Sequence, residues 1–182
     1  MNYIARNLEK VVLQVSDEYP VVLVTGPRQV GKTTMLQKLM EGTGRKYVSL
    51  DDLNERNLAK TDPELFLQLH KPPVLIDEVQ YAPELFTYIK IHVDKTHNPG
   101  DFWLTGSQVF KLMRGVQESL AGRVAVLSLT SLSQAELCKG QMEPFLVDLK
   151  ALSERSEQRT PADTESIFER IFKGSMPALI SG

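Results

Sequence analysis

Eight consecutive residues, Gly26-Pro27-Arg28-Gln29-Val30-Gly31-Lys32-Thr33, fit G-x-x-x-x-G-K-[ST], a spacing suited to holding phosphate. Gly26 permits a tight exit from a strand, and Gly31 lets the backbone pass close to phosphate oxygens. The loop N–H groups and the start of the following helix offer an anion site. Lys32 is placed to reach β- and γ-phosphates, and the Thr33 hydroxyl to hold Mg²⁺. With Thr34, residues 26–34 are the candidate nucleotide-binding set; Arg28 within them faces either solvent or a partner. Downstream, Pro73-Val74-Leu75-Ile76 runs into Asp77-Glu78. Asp77 is placed to bind the Mg²⁺ shell, whose chemistry favours hard oxygen ligands. Glu78 is placed to polarise an attacking water as general base. Gln80 is a weaker candidate for orienting that water. Seen alone, two acids at a strand end also suit a solvated turn.

The elements that must carry these residues alternate short apolar runs with helical periodicity, which predicts an α/β fold with a parallel sheet. The strands are expected at 21–25, 46–50, 73–76, 102–105 and 124–129. Helices are expected over 3–17, 32–41, one or two within 53–70, over 83–97, and in pieces up to 120. Asp62-Pro63-Glu64 reads as a helix start. Ser131 or Ser133 is a candidate cap for a helix carrying Ala135-Glu136-Leu137. Residues 139–163 are polar and read as a linker or a partly ordered excursion. Residues 164–173 read as a short helix built on Ile167, Phe168, Ile171 and Phe172. The apolar ending Ala178-Leu179-Ile180 predicts a fragment of something longer. The expected organisation is an ATPase-like domain over 1–138, its N-terminal helix within 1–19, then a linker over 139–163. The start of a C-terminal region follows over 164–182.

An extra strand between loop strand and acidic strand, with Glu78 directly after Asp77, resembles the large division of P-loop NTPases with an inserted strand and a catalytic glutamate. That resemblance implies a three-layer sandwich whose five-stranded parallel sheet has the order 5-1-4-3-2. It also implies a polar residue at the end of the fourth strand that senses γ-phosphate. Thr105 and Ser107 are the candidates, with Gln108 behind them, and a helix cap at Ser107 is the competing reading. Arg114 and Arg123 are candidate arginine fingers, in cis or from a neighbouring subunit. Arg123 is favoured because it sits in the Gly-Arg turn before the fifth strand; an ion-paired surface role competes. Asp51 and Asp52 end the second strand and suit a helix cap better than a substrate contact or a part in placing Mg²⁺. His70, His92 and His97 have no metal-ligand spacing among themselves.

Tyr3-x-x-Arg6, the Gly26–Thr34 loop, Leu50-Asp51-Asp52, Leu75-Ile76-Asp77-Glu78-Val79-Gln80, Leu104-Thr105-Gly106-Ser107-Gln108 and Ser119-Leu120-Ala121-Gly122-Arg123 occur in that order. Together they resemble the prokaryotic AAA-type ATPases that carry a C-terminal nuclease-like domain of unknown function. The resemblance covers about residues 3–137, and the second domain is missing from this sequence. It implies Mg-ATP as ligand, assembly into a homo-oligomer, and a protein or DNA partner reached through that second domain.

At 182 residues the chain suits one domain, at roughly 150 residues each, plus an appendage. With 21 basic and 23 acidic residues its net charge is −2, which excludes a bulk polycationic nucleic-acid binder. A single cysteine, Cys138, excludes a disulfide framework and a Cys-based zinc cluster. No apolar run reaches about 18 residues, and the polar N-terminus lacks a signal-peptide core. These features predict a cytoplasmic protein without a membrane partner. ATP hydrolysis is the leading expectation. A nucleotide-dependent switch with little turnover is the alternative, and a small-molecule kinase follows, supported only by Arg56 as a lid residue. A guanine-reading Asn-Lys-x-Asp is absent, and no basic stripe with aromatics supports a helicase.

Overall fold

The computed structural model describes residues 3–138, 148–157 and 163–180. They form two compact units, one of Leu8–Thr130 and one drawn from Met1–Asn7 with Ser131–Gly182. The larger unit runs α1 (Leu8–Ser16), β1 (Val21–Thr25), α2 (Lys32–Met40), β2 (Lys46–Ser49), α3 (Leu53–Thr61), α4 (Pro63–Leu69) and β3 (Val74–Asp77). A 3-10 turn at Val79–Tyr81 follows, then α5 (Leu85–Thr96), β4 (Phe102–Gly106), α6 (Val109–Ser119) and β5 (Val124–Ser128).

All five strands are parallel, in the order β2-β3-β4-β1-β5. Read from the other edge this is the expected 5-1-4-3-2. The three central strands are buried along their whole length. Helices cover both faces of such strands, so their sequences are continuous apolar runs rather than alternating ones. Leu23 pairs with Leu104, and Leu104 with Ile76. The strand ends Thr25, Asp77 and Thr105 are therefore brought to one edge of the sheet. In open parallel sheets ligands bind at this carboxyl edge. Phe66 on α4, Phe86 and Ile89 on α5, and Leu112 on α6 pack with Leu23, Ile76 and Leu104 into one core. Each such side chain contributes about 1.5–3 kcal/mol when fully buried.

Residues 53–70 form two helices because Asp62 adopts a non-helical conformation between them, φ −142° and ψ 75°. Its carboxylate accepts the Leu65 N–H at 2.9 Å, and Pro63 opens α4 without an N–H to satisfy. The first helix begins at Leu8, later than the periodicity predicts. Residues 6 and 7 are engaged elsewhere: the Asn7 N–H donates to Glu136 at 2.8 Å, and Arg6 pairs with the same carboxylate at 3.1 Å.

That buried pair belongs to the smaller unit, built on α7 (Gln134–Leu137), α8 (Leu149–Glu157), α9 (Thr164–Lys173) and α10 (Pro177–Ile180). Ser133 and Glu136 form a reciprocal capping box at the start of α7. Burial works against the Glu136 charge, yet the Ser133 and Asn7 N–H groups and Arg6 outweigh it and hold its carboxyl below the usual range. Leu132 N–H donates to Ser175 at 2.8 Å, tying the 131–138 segment to the residue after α9. Within the segment read as a linker or a partly ordered excursion, Asp148 caps α8 through the Ala151 N–H at 2.8 Å. The rest, 139–147 and 158–162, lies outside the described residues.

Candidate functional site

The chain leaves β1 through a loop whose backbone is left-handed at three points. These are Gly26 at φ 140°, Gln29 at 65° and Gly31 at 91°. Gly31 is also the N-cap residue of α2, and no side chain caps that helix. Its first-turn N–H groups are thus available to an anion, reinforced by the helix dipole. Val30 is fully buried and anchors the loop, while Pro27, Arg28 and Gln29 face solvent.

Lys32 curls back under the loop. Its Nζ donates to the carbonyls of Gly26 at 3.0 Å and Pro27 at 2.8 Å, and the residue is only 6% exposed. Burial pulls its ammonium below the ordinary lysine range; Glu78 and Asp77 oppose this, and Arg28 adds to it. The two carbonyls hold the cation in a place where phosphate oxygens can replace them.

The Thr33 hydroxyl lies 3.0 Å from both oxygens of Asp77. Asp77 also accepts from the hydroxyls of Thr105 and of Tyr47 (3.2 Å), and from the Glu78 N–H at 3.2 Å. One carboxylate thus gathers the ends of β3 and β4, the side chain of β2, and the start of α2. Burial and the Asp77 charge push the Tyr47 phenol up. A hydroxyl and a carboxylate in contact are a hard-oxygen donor pair that fits Mg²⁺.

Glu78 stands next in the chain in a left-handed conformation, φ 56°. Its Oε2 accepts from the Gln80 amide, and the Ser107 hydroxyl stands 3.5 Å away. The two candidates at the end of β4 therefore divide: Thr105 faces Asp77 and Ser107 faces Glu78. Ser107 does not cap α6, because Gln108 occupies that position. Gln80 is 7% exposed, and its Oε1 is buried with no partner among the described residues. A stranded buried acceptor costs about 1–3 kcal/mol.

Several sequence candidates fall outside this cluster. Asp52 caps α3, accepting from Asn54 N–H at 2.7 Å and Glu55 N–H at 3.3 Å. Asp51 is exposed and lies 3.7 Å from Arg56. Thr34 is exposed on α2. His70 meets Glu55 at 2.8 Å and His92 meets Asp101 at 2.9 Å. His97 terminates α5.

Arg123 stands apart from this cluster. Its carbonyl accepts from the Val21 N–H, at the beginning of β1. A residue preceding a parallel strand lies at the amino edge of the sheet, about 13 Å from the end of β1 at 3.3 Å per residue. There Arg123 is held by Asp94 on α5, through Nε and through Nη2 at 3.1 Å. Arg114 belongs to α6, and its side chain lies outside those described.

Sequence reasoning missed Tyr47, whose contact with Asp77 depends on the pairing of β2 with β3, in which Ser49 faces Asp77. It also missed the packing of Gly106 against Gln80, where an added Cβ would stand 2.2 Å from Oε1.

Among known proteins, the family described as AAA domain matches residues 18–138. Two uncharacterised mycobacterial proteins, Mb2031c of Mycobacterium bovis and Rv2008c of Mycobacterium tuberculosis, are each 37% identical over 115 residues. That match covers 63% of this chain and 26% of each relative, so the chain matches about a quarter of their length. Among solved structures, the Walker-type ATPase PABY2304 of Pyrococcus abyssi superposes with a TM-score of 0.62 at 17% identity, covering 98% of this chain and 66% of that one. AMPPCP-bound DnaA from Aquifex aeolicus gives 0.58 at 16% identity, covering 100% and 61%. These structural likenesses establish the P-loop NTPase fold.

Proposed function

The chain belongs to the AAA domain family, and on that footing we propose that it binds Mg-ATP and hydrolyses it to ADP and phosphate, driving or switching an adjoining domain or partner. The observation that carries this reading is the contact of Thr33 with Asp77, placed between Lys32 and Glu78. It brings a phosphate-binding loop, a pair of metal ligands and a candidate base to one sheet edge.

In this reading the loop N–H groups and Lys32 bind the β- and γ-phosphates. Lys32 exchanges the carbonyls of Gly26 and Pro27 for phosphate oxygens as the nucleotide enters. Thr33 and Asp77 would hold Mg²⁺, which when bound neutralises charge on the phosphates. Thr105 and Tyr47 orient Asp77 by donating to it. Glu78 accepts a proton from the attacking water as the water oxygen bonds to the γ-phosphorus and the bridge to the β-phosphate breaks. Ser107 lies beside Glu78, where it senses the γ-phosphate. Arg123, or Arg114, acts on the site of a neighbouring copy, which makes the working form a homo-oligomer. The ATPase domain is proposed to span 1–138, with 139–163 linking it to a region that begins at 164. No helix among the described residues is long and apolar enough to cross a membrane; a cytoplasmic location and a protein or DNA partner, engaged through a further domain, complete the reading.

The test is Mg²⁺-dependent ATP turnover per chain across a wide concentration range. Glu78→Gln is expected to lower turnover at least about 100-fold while retaining nucleotide. Turnover that rises with concentration and loses that rise in Arg123→Ala supports completion by a neighbour. Bound nucleotide with no turnover at any concentration would replace the hydrolase reading with that of a switch.

A further inference from the structure

We propose that Gln80 is a positioning residue for Glu78, and that Gly106 exists as glycine to seat it. This rests on the reading of Glu78 as general base. Gln80 follows the acidic pair on the 3-10 turn Val79–Tyr81, which folds it back against the end of β4. There its amide is buried, with Nε2 donating to Glu78 Oε2 and Oε1 packed against the backbone at Gly106. A Cβ at position 106 would stand 2.2 Å from Gln80 Oε1 and 2.5 Å from Leu112 Cδ1, so the amide fills the space a side chain would take.

The arrangement is costly, because Oε1 finds no partner among the described residues. An apolar side chain of the same length would fill the space without stranding an acceptor. What the amide supplies and such a side chain cannot is its one donor to Glu78. That donor ties down Oε2 and leaves Oε1 of Glu78 free of any hydrogen bond among the described residues. A carboxylate held by one oxygen presents the other in a fixed direction, as a base must toward the water it deprotonates. The left-handed backbone of Glu78 brings its side chain within reach of both Gln80 and Ser107.

The experiment compares Gln80→Met with the unaltered chain in ATP turnover, nucleotide affinity and melting temperature. Methionine keeps the length and removes both amide groups. Turnover at saturating Mg-ATP is expected to fall about 10–100-fold, the scale of a misplaced catalytic group. Affinity should be unchanged and the melting temperature no lower, a combination that a merely structural role would not produce. Gly106→Ala should lower turnover by a similar factor by displacing the amide. In a Glu78→Gln background, Gln80→Met should cost nothing more, because it acts through that carboxylate. Turnover within about twofold of the original in Gln80→Met, with Glu78→Gln inactive, would overturn the inference and leave the base assignment standing. An equal loss in the Glu78→Gln background would also overturn it. Turnover persisting in Glu78→Gln would sink the base assignment and this inference with it.

Discussion

The two edges of the sheet each hold a cation drawn away from solvent, Lys32 buried and Arg45 half-buried, and the cations do opposite things. At the carboxyl edge Lys32 donates to two carbonyls of its own loop. At the amino edge Arg45 donates to the carbonyls of Val74 and Asp101, each at 3.4 Å, and of Gly100 at 2.7 Å, joining the beginnings of β3 and β4. Its guanidinium also stacks 4.0 Å from the Trp103 ring. Burial lowers both cations, and Arg45 is brought down to about 10, with Asp101 opposing. The difference lies in the partners. Those of Arg45 belong to separate segments, so releasing it loosens the sheet. Those of Lys32 belong to one loop, and on the proposed reading a phosphate takes their place. Burial and a shifted pKa are common to both cations; what distinguishes them is their partners.

The strongest way to break this comparison is Lys32→Ala. Turnover and nucleotide binding should fall at least about 100-fold, with the fold intact by circular dichroism. The same variant gives a pH signature. Between its lowered folded value and 10.5, the folded chain binds fewer protons at Lys32 than the unfolded chain does. Stability conferred through this group therefore rises with pH across that window. The difference in unfolding free energy between the original chain and Lys32→Ala should shift accordingly as pH approaches 10.5. A flat difference would refute the burial of the charge.

Arg45→Met should behave in the reverse manner. It should lose about 1–3 kcal/mol in urea unfolding and leave turnover per folded molecule unchanged. A loss of turnover without a loss of stability would erase the distinction between the edges. The smallest expected effect concerns two neighbours beyond β2. Asp52→Ala should cost about 1 kcal/mol through its cap, with turnover unchanged. Asp51→Ala should leave turnover unchanged as well, since both acids stand outside the Asp77 cluster.

The carboxyl edge was the more legible of the two in the sequence. Its loop is contiguous, and glycine spacing reports backbone requirements directly. The acidic pair follows an unbroken apolar strand, and the Asp62-Pro63 helix start is equally local. Contacts fixed by pairing of distant segments were not legible: Tyr47 with Asp77, Gly106 with Gln80, Arg6 with Glu136. Arg123 is different, since its place could have been deduced. Once the sheet is parallel, any residue just before a strand lies at the edge away from the loop. Arg45, immediately before β2, obeys the same rule, yet nothing in its own sequence neighbourhood announces the three carbonyls it joins.

Gly26 carries one more consequence, for how the loop tolerates variation. A Cβ there would stand 2.0 Å from the carbonyl of Leu129, the residue directly after β5, whose N–H donates to Thr25 at 2.9 Å. The first glycine of the loop is thus imposed by the neighbouring strand, whatever the phosphate asks of it. Every substitution at this codon meets a wall of main chain. A saturation library selected at high nucleotide concentration should therefore recover weakened variants at positions proposed to face the ligand, such as Thr33, and none at Gly26, because mass action compensates for poor affinity but not for a sheet that cannot close.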